Sequence, residues 1–187
     1  EGKGLAGTGG CLGNHIAPLH KMRNGFRLNG GRPAITLFLQ SLQHGLGQTE
    51  IGKGKLLREG TDATVVATGY MVHLALEAAE MLAEEGISAT VLNMPTIKPI
   101  DEDAIVAAAN ATGAIVTCEE HSIIGGLGSA VAEVLAEEYP CKMTRMGVKD
   151  VFGQSGKPYE LLDMYGLTDK HIAAKVKQIF KPTTINY

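Results

Sequence analysis

The chain has 187 residues, 44% hydrophobic and 20% charged, with a formal net charge of −3, which suits one globular domain with an extension. That charge gives no reason to expect nucleic acid or an anionic membrane surface as a partner, and no apolar stretch approaches the roughly 20 residues of a membrane span. Cys11, Cys118 and Cys141 are odd in number, far apart and without a CxxC, and the N-terminus lacks the apolar core of a secretory signal, so a reducing cytoplasm is expected and neither a disulfide framework nor a zinc site is.

The averages conceal a break. Residues 1–49 hold one acidic and five basic side chains and eleven of the 24 glycines, whereas residues 50–187 hold nineteen acidic and twelve basic ones. A boundary is expected near Thr49. Residues 1–49 read as an atypical extension or remnant, poorly ordered apart from the apolar run AITLFLQSL (34–42), and residues 50–187 as the folded domain.

Within that domain the pattern is regular. IGKGKLLREG predicts a short first strand closed by Gly60. ATVVATG predicts a strand buried on both faces. In YMVHLALEAAEMLAEEG the residues Val72, Ala75, Leu76, Ala79, Leu82 and Ala83 recur at helical spacing, and Gly86 supplies a left-handed stop. SATVLNM predicts the next strand. In PTIKPIDEDAIVAAANATG, Asp101 is placed to cap a helix whose first turn carries Glu102 and Asp103. AIVTCEE predicts a third buried strand, HSIIGGLG a turn, and SAVAEVLAEEYP a helix stopped by Pro140. CKMTRMGV predicts a last strand. PYELLDMYG and TDKHIAAKVKQIF predict closing helices, the second capped by Thr168. Strands alternating with helices of 10 to 15 residues predict right-handed crossovers and a mainly parallel α/β sheet covered on both faces.

The stretch TCEEHSIIGGLGSA (117–130) is where chemistry is first sought. A dinucleotide fingerprint aligned on Gly126 and Gly128 fails at Val131 and stands in a late turn, while the match at Gly2–Gly7 has no strand before it. QSGKP (154–158) resembles the end of a phosphate loop, but Val151 replaces the first glycine and Pro158 the magnesium-binding hydroxyl, so a turn capping a helix is the better reading. Glu119, Glu120 and His121 fall at the carboxyl end of a parallel strand, where open α/β sheets place ligands. Neighbours on a strand point to opposite faces, so the two glutamates are not a ready acid/base pair. His121 could carry a proton near neutral pH, or line a contact. His73 is expected to be packed in its helix and Cys118 to be an inert core residue.

The segments EGTDATVVATGYMVHLALEAAEMLAEEGISATVLNMPTIKPID, CEEHSIIGGLGSAVAEVLAE and GVKDVFGQSGKPYELLDMYGLT, in this order from about Glu50 to Phe180, resemble the C-terminal domain of transketolases, especially the split bacterial and archaeal kind. The same domain ends deoxyxylulose-phosphate synthases and the β-subunits of 2-oxoacid dehydrogenases. The resemblance implies a three-layer α/β/α domain with a five-stranded, mostly parallel sheet whose first strand is antiparallel. It implies thiamine diphosphate and magnesium in the complete enzyme, which moves a two-carbon ketol unit between sugar phosphates. It also implies that the cofactor and metal are held by N-terminal and middle domains or a partner subunit. This chain is therefore expected to pack against those parts in a homodimer, to bind no cofactor or metal itself and to be inactive alone. His121 is at most a weak catalytic candidate. His121, Ser122, Gly125, Gly126, Gly128, Gln154 and Ser155 are expected at turns or interfaces. The alternatives are a non-catalytic binding or regulatory module on the same fold, or the C-terminal domain of a 2-oxoacid dehydrogenase β-subunit or a deoxyxylulose-phosphate synthase.

Overall fold

A computed structural model of the chain describes residues 50–180; the extension expected over residues 1–49 and its apolar run lie outside the described residues. Five strands, β1 (Lys55–Arg58), β2 (Ala63–Ala67), β3 (Ala89–Asn93), β4 (Ala114–Ser122) and β5 (Lys142–Val148), form one sheet in the order β1-β3-β2-β4-β5. β1 pairs antiparallel with β3, and all other pairings are parallel. The helices are α1 (Met71–Glu84), α2 (Glu102–Thr112), α3 (Leu127–Glu138), α4 (Pro158–Met164) and α5 (Asp169–Phe180).

Alternation along the strands feeds two cores. On one face Ala63, Val65 and Ala67 of β2 join Val91, Val116 and Cys118 against Leu74, Ala78 and Leu82 of α1 and Ile172 and Val176 of α5. On the other, Val66, Leu92 and Ile115 meet Ile105 and Ala109 of α2 and Leu127, Val131 and Leu135 of α3. Every residue of β2 and β3 is buried, as strands covered on both faces require. This is the three-layer arrangement and the antiparallel first strand that the family resemblance implies.

Several punctuation residues act as their chemistry dictates. The buried Asp101 carboxylate accepts from Ala104 N at 3.2 Å, capping α2, and from Gly54 N at 2.8 Å, fastening the segment entering β1. One acid thereby satisfies a helix terminus and a distant loop. Gly86 ends α1 at φ +80 and Gly113 ends α2 at φ +65, a conformation that costs a residue with a Cβ about 1–2 kcal/mol.

Three local expectations are corrected. The buried stripe of α1 runs Met71, Leu74, Ala75, Ala78, Ala79, Leu82, so Ala83 is exposed and Val72 and Leu76 sit at its border. α1 serves both the sheet and α5, which turns its apolar face from the position that spacing alone suggests. β4 continues through His121 and Ser122, where a turn is expected, because pairing with β5 resumes at Ser122↔Val148 after an irregularity beyond Cys118. α3 starts at Leu127, ahead of Ser129, because Glu119 reaches its first amides, as described below.

Gly60 is the tightest backbone approach of the β1–β2 connection. A Cβ there would lie 2.4 Å from Ala89 C and 2.6 Å from Thr90 N, whereas one at Gly113 would meet nothing within 4 Å. Gly60→Ala is expected to cost about 3 kcal/mol or more, because backbone cannot step aside as a side chain can. Gly113→Ala should cost only the left-handed strain, about 1–2 kcal/mol. Urea denaturation of the two variants checks this; equal losses would contradict the close approach.

Candidate functional site

The strand order singles out one position on the sheet. The connection leaving β2 runs through α1 to β3 on one side, while β4 lies on the other side of β2. The carboxyl ends of β2 and β4 therefore flank a topological switch point, where adjacent chains diverge and leave a crevice. A cleft of about 490 Å³ lies there, between Thr68–Tyr70 after β2 and Glu119–His121 at the end of β4, with Gly125 and Gly126 on its wall.

The two glutamates do point to opposite sides: Glu119 is 1% exposed and Glu120 is on the surface. Glu119 Oε2 accepts from Leu127 N and Oε1 from Gly128 N, both at 2.8 Å. These are the first amides of α3, which has no side-chain cap of its own because Gly126 stands at its N-cap. A carboxylate from the neighbouring strand thus supplies the anion that the positive helix end favours.

The glycines of the turn follow from that bond. A Cβ on Gly126 would fall 1.9 Å from Glu119 Oε2, and one on Gly128 would fall 2.9 Å from both Thr117 Oγ1 and Arg145 Cδ. Gly125 alone needs the left-handed region, at φ +74. The Arg145 guanidinium donates to Ile123 O at 3.1 Å and to Ser129 Oγ at 3.3 Å, Gly125 N donates to Ser129 Oγ at 3.0 Å, and Ile124 N donates to Ser122 Oγ at 3.3 Å. Residues 122–129 thereby form a corner tied to both β4 and β5.

His121 is exposed at the rim, with Nδ1 3.1 Å from Ser122 O. That contact makes Nδ1 the donor, because a carbonyl only accepts. The Tyr70 hydroxyl donates to Tyr159 Oη at 3.3 Å. Burial pushes the Tyr70 phenol above its usual range, and Tyr159, Glu77 and Glu120 add to the effect, so it remains a protonated donor. Gln154 and Ser155 are also exposed, but on the segment after β5, where Gln154 N donates to Tyr165 Oη at 3.1 Å. Of the seven turn or interface candidates, the fold brings His121, Ser122, Gly125, Gly126 and Gly128 together. No hydrogen bond among the described residues joins Gln154 or Ser155 to them.

His73 is half-buried on α1 with Nε2 3.3 Å from Glu77 Oε1. Cys118 is fully buried against Met146 Sδ at 3.9 Å, and burial, with the charge of Glu119, pushes its thiol up. It stays protonated and unreactive. The residues that sequence reasoning did not single out are Arg145, Ser129 and Tyr70, together with the capping role of Glu119. One signal for that role was present: a glutamate at a strand end followed, seven and nine residues on, by glycines at the start of a helix.

Glu119→Gln keeps the shape but turns an amide NH₂ toward one of two helix N–H groups. It is expected to cost about 1.5–3 kcal/mol, the range for hydrogen bonds to a charged partner. Glu120→Gln, on the solvent side of the same strand, should change stability by under about 0.5 kcal/mol. Denaturant midpoints of the pair measure the difference, and equal values would remove the special role of Glu119.

Comparison with known proteins agrees with this geometry. A family model described as the transketolase C-terminal domain matches residues 52–172. The chain is 51% identical over 148 residues to a protein named 6-deoxy-6-sulfo-D-fructose transketolase subunit SqwH from Clostridium sp. (strain MSTE9), covering 79% of this chain and 44% of that one. It is 43% identical over 140 residues to the 1-deoxy-D-xylulose-5-phosphate synthase of Heliobacterium modesticaldum (strain ATCC 51547 / Ice1), covering 74% of this chain and 22% of that one. A solved structure titled as a split-gene transketolase, inactive β4 tetramer, superposes with a TM-score of 0.69 at 55% identity, over 71% of this chain and 43% of that one. The chain thus spans less than half the length of each of these relatives. With the matched family model running from the entry to β1 into α5, and the sheet order and corner described above, the chain belongs to the transketolase C-terminal domain family.

Proposed function

We propose that this chain is the C-terminal part of a thiamine-diphosphate-dependent transketolase, moving a two-carbon ketol unit between sugar phosphates. In this reading the chain serves domain packing and subunit assembly, and chemistry requires N-terminal and middle parts carried elsewhere. The observation that carries the reading is the use made of the cleft's chemical groups. Both oxygens of Glu119 are engaged by the amides of α3, and the turn glycines are engaged in admitting that carboxylate and the side chains beside it. The corner is built to hold its shape.

The cofactor itself does not fit the residues described. A diphosphate is received by helix N-termini with amides to spare and a magnesium ion held by oxygen ligands. The α3 terminus at the cleft already holds Glu119, and among the described residues no group of three or more His, Cys, Asp or Glu side chains could hold a metal. The complete enzyme's thiamine diphosphate and magnesium are therefore assigned to its other parts. The exposed His121 and Glu120, with the half-buried Tyr70 beside them, form the rim that would face those parts or the mouth of a shared site. Self-association of this chain is proposed on the same footing, since the 55%-identical solved relative is titled a β4 tetramer.

Calorimetric titration of this chain with thiamine diphosphate and magnesium is expected to give no heat of binding, and micromolar affinity would overturn the proposal. In enzyme reconstituted with its N-terminal partner, His121→Ala is expected to lower kcat/KM modestly. The loss should stay well below the roughly 10²- to 10⁴-fold typical of a missing general acid or base. A loss in that range with assembly intact would make His121 catalytic.

A further inference from the structure

Residues 149–160, between β5 and α4 and into its first turn, are exposed without interruption. They carry large apolar groups: Val151 is 56% exposed, Tyr159 67% and Phe152 98%. Such a run of apolar side chains in water is not what a finished surface shows. Nor is the segment loose. The Tyr165 hydroxyl donates to Phe152 O at 3.4 Å and accepts from Gln154 N at 3.1 Å, and the Tyr70 hydroxyl holds Tyr159 at 3.3 Å. Two tyrosines rooted elsewhere in the domain thus pin the stretch at its middle and its far end while Phe152 stands outward. Pinning in advance lowers the ordering cost of a contact, and a single outward aromatic is the usual anchor of one.

Charge indicates what the anchor meets. Residues 50–180 contain nineteen acidic and eleven basic side chains, so like charge on this part of the chain disfavours most ways of bringing two such domains face to face. Within residues 149–160 the signs cancel: Lys149 and Lys157 stand against Asp150 and Glu160. A two-fold contact between identical chains must complement itself, apolar against apolar and each sign against the other. This segment meets both conditions. We propose that residues 149–160, with Phe152 as anchor, form the contact through which two copies of this chain associate. The assignment rests on the self-association proposed above and names its surface.

Sedimentation velocity on the full chain over a range of concentrations tests it, with Phe152→Ser beside Leu56→Ser as a control at an exposed apolar position on edge strand β1. Wild type is expected to associate and Leu56→Ser to match it. Phe152→Ser should raise the dissociation constant by roughly 30-fold or more, the effect of losing an interface anchor. Its circular dichroism, and its melting at concentrations where both proteins are monomeric, should be unchanged, since the side chain is in water in the single copy. If wild type and Phe152→Ser associate equally, the contact lies elsewhere: the surface assignment fails and self-association stands. Equal weakening by Leu56→Ser also defeats the assignment. A wild-type monomer at high concentration defeats both, and binding of an N-terminal partner lost only in Phe152→Ser would give the surface to that partner instead.

Discussion

The carboxylate of Glu119 beneath the first turn of α3 is the constraint on which the carboxyl edge of this domain depends. A buried charge is costly unless its oxygens are satisfied. Here both are, by two amides at 2.8 Å at the end of a helix whose dipole favours an anion. The bond fixes where α3 begins and forbids a Cβ on Gly126. The turn between β4 and α3 then has little freedom left. Arg145 and Ser129 close it from the β5 and α3 sides, and His121 is left at the rim.

The same economy governs the rest of the domain. Asp101 joins the start of α2 to the entry to β1, and the Asp62 carboxylate accepts from Ser88 N at 2.7 Å, joining the starts of β2 and β3. Each acid accepts from one amide far away in sequence, Gly54 N for Asp101 and Ser88 N for Asp62, and so ties two elements together. The sheet order puts a crevice at the β2/β4 switch point, but the groups facing it are largely engaged in architecture. A cleft in the customary ligand position is thus compatible with a module that packs and assembles.

Much of this was legible in the sequence because it is written in local chemistry. The β-branched runs of β2, β3 and β4 announce strands buried on both faces. Gly86 and Gly113 mark helix ends, and Asp101 with Glu102 and Asp103 marks a beginning. The opposite facing of Glu119 and Glu120 follows from the strand repeat alone. Which of the two is buried does not, because that depends on which face α3 covers, a matter of tertiary register. The roles of Gly126 and Gly128 were hidden for a related reason. A glycine kept for its missing Cβ looks the same in sequence as one kept for its φ, and only the position of Glu119, Thr117 and Arg145 distinguishes them. The early start of α3 and the extension of β4 through Ser122 depend on the same long-range bonds, and periodicity could not show them.

Amide hydrogen exchange at Leu127 and Gly128 tests the central claim most directly. If the Glu119 carboxylate clasps the first turn of α3, these two amides are expected to exchange as slowly as those of β4, opening only when the domain unfolds. Exchange as fast as that of the exposed amides of residues 149–160 would show that the turn opens independently, and would contradict the clasp.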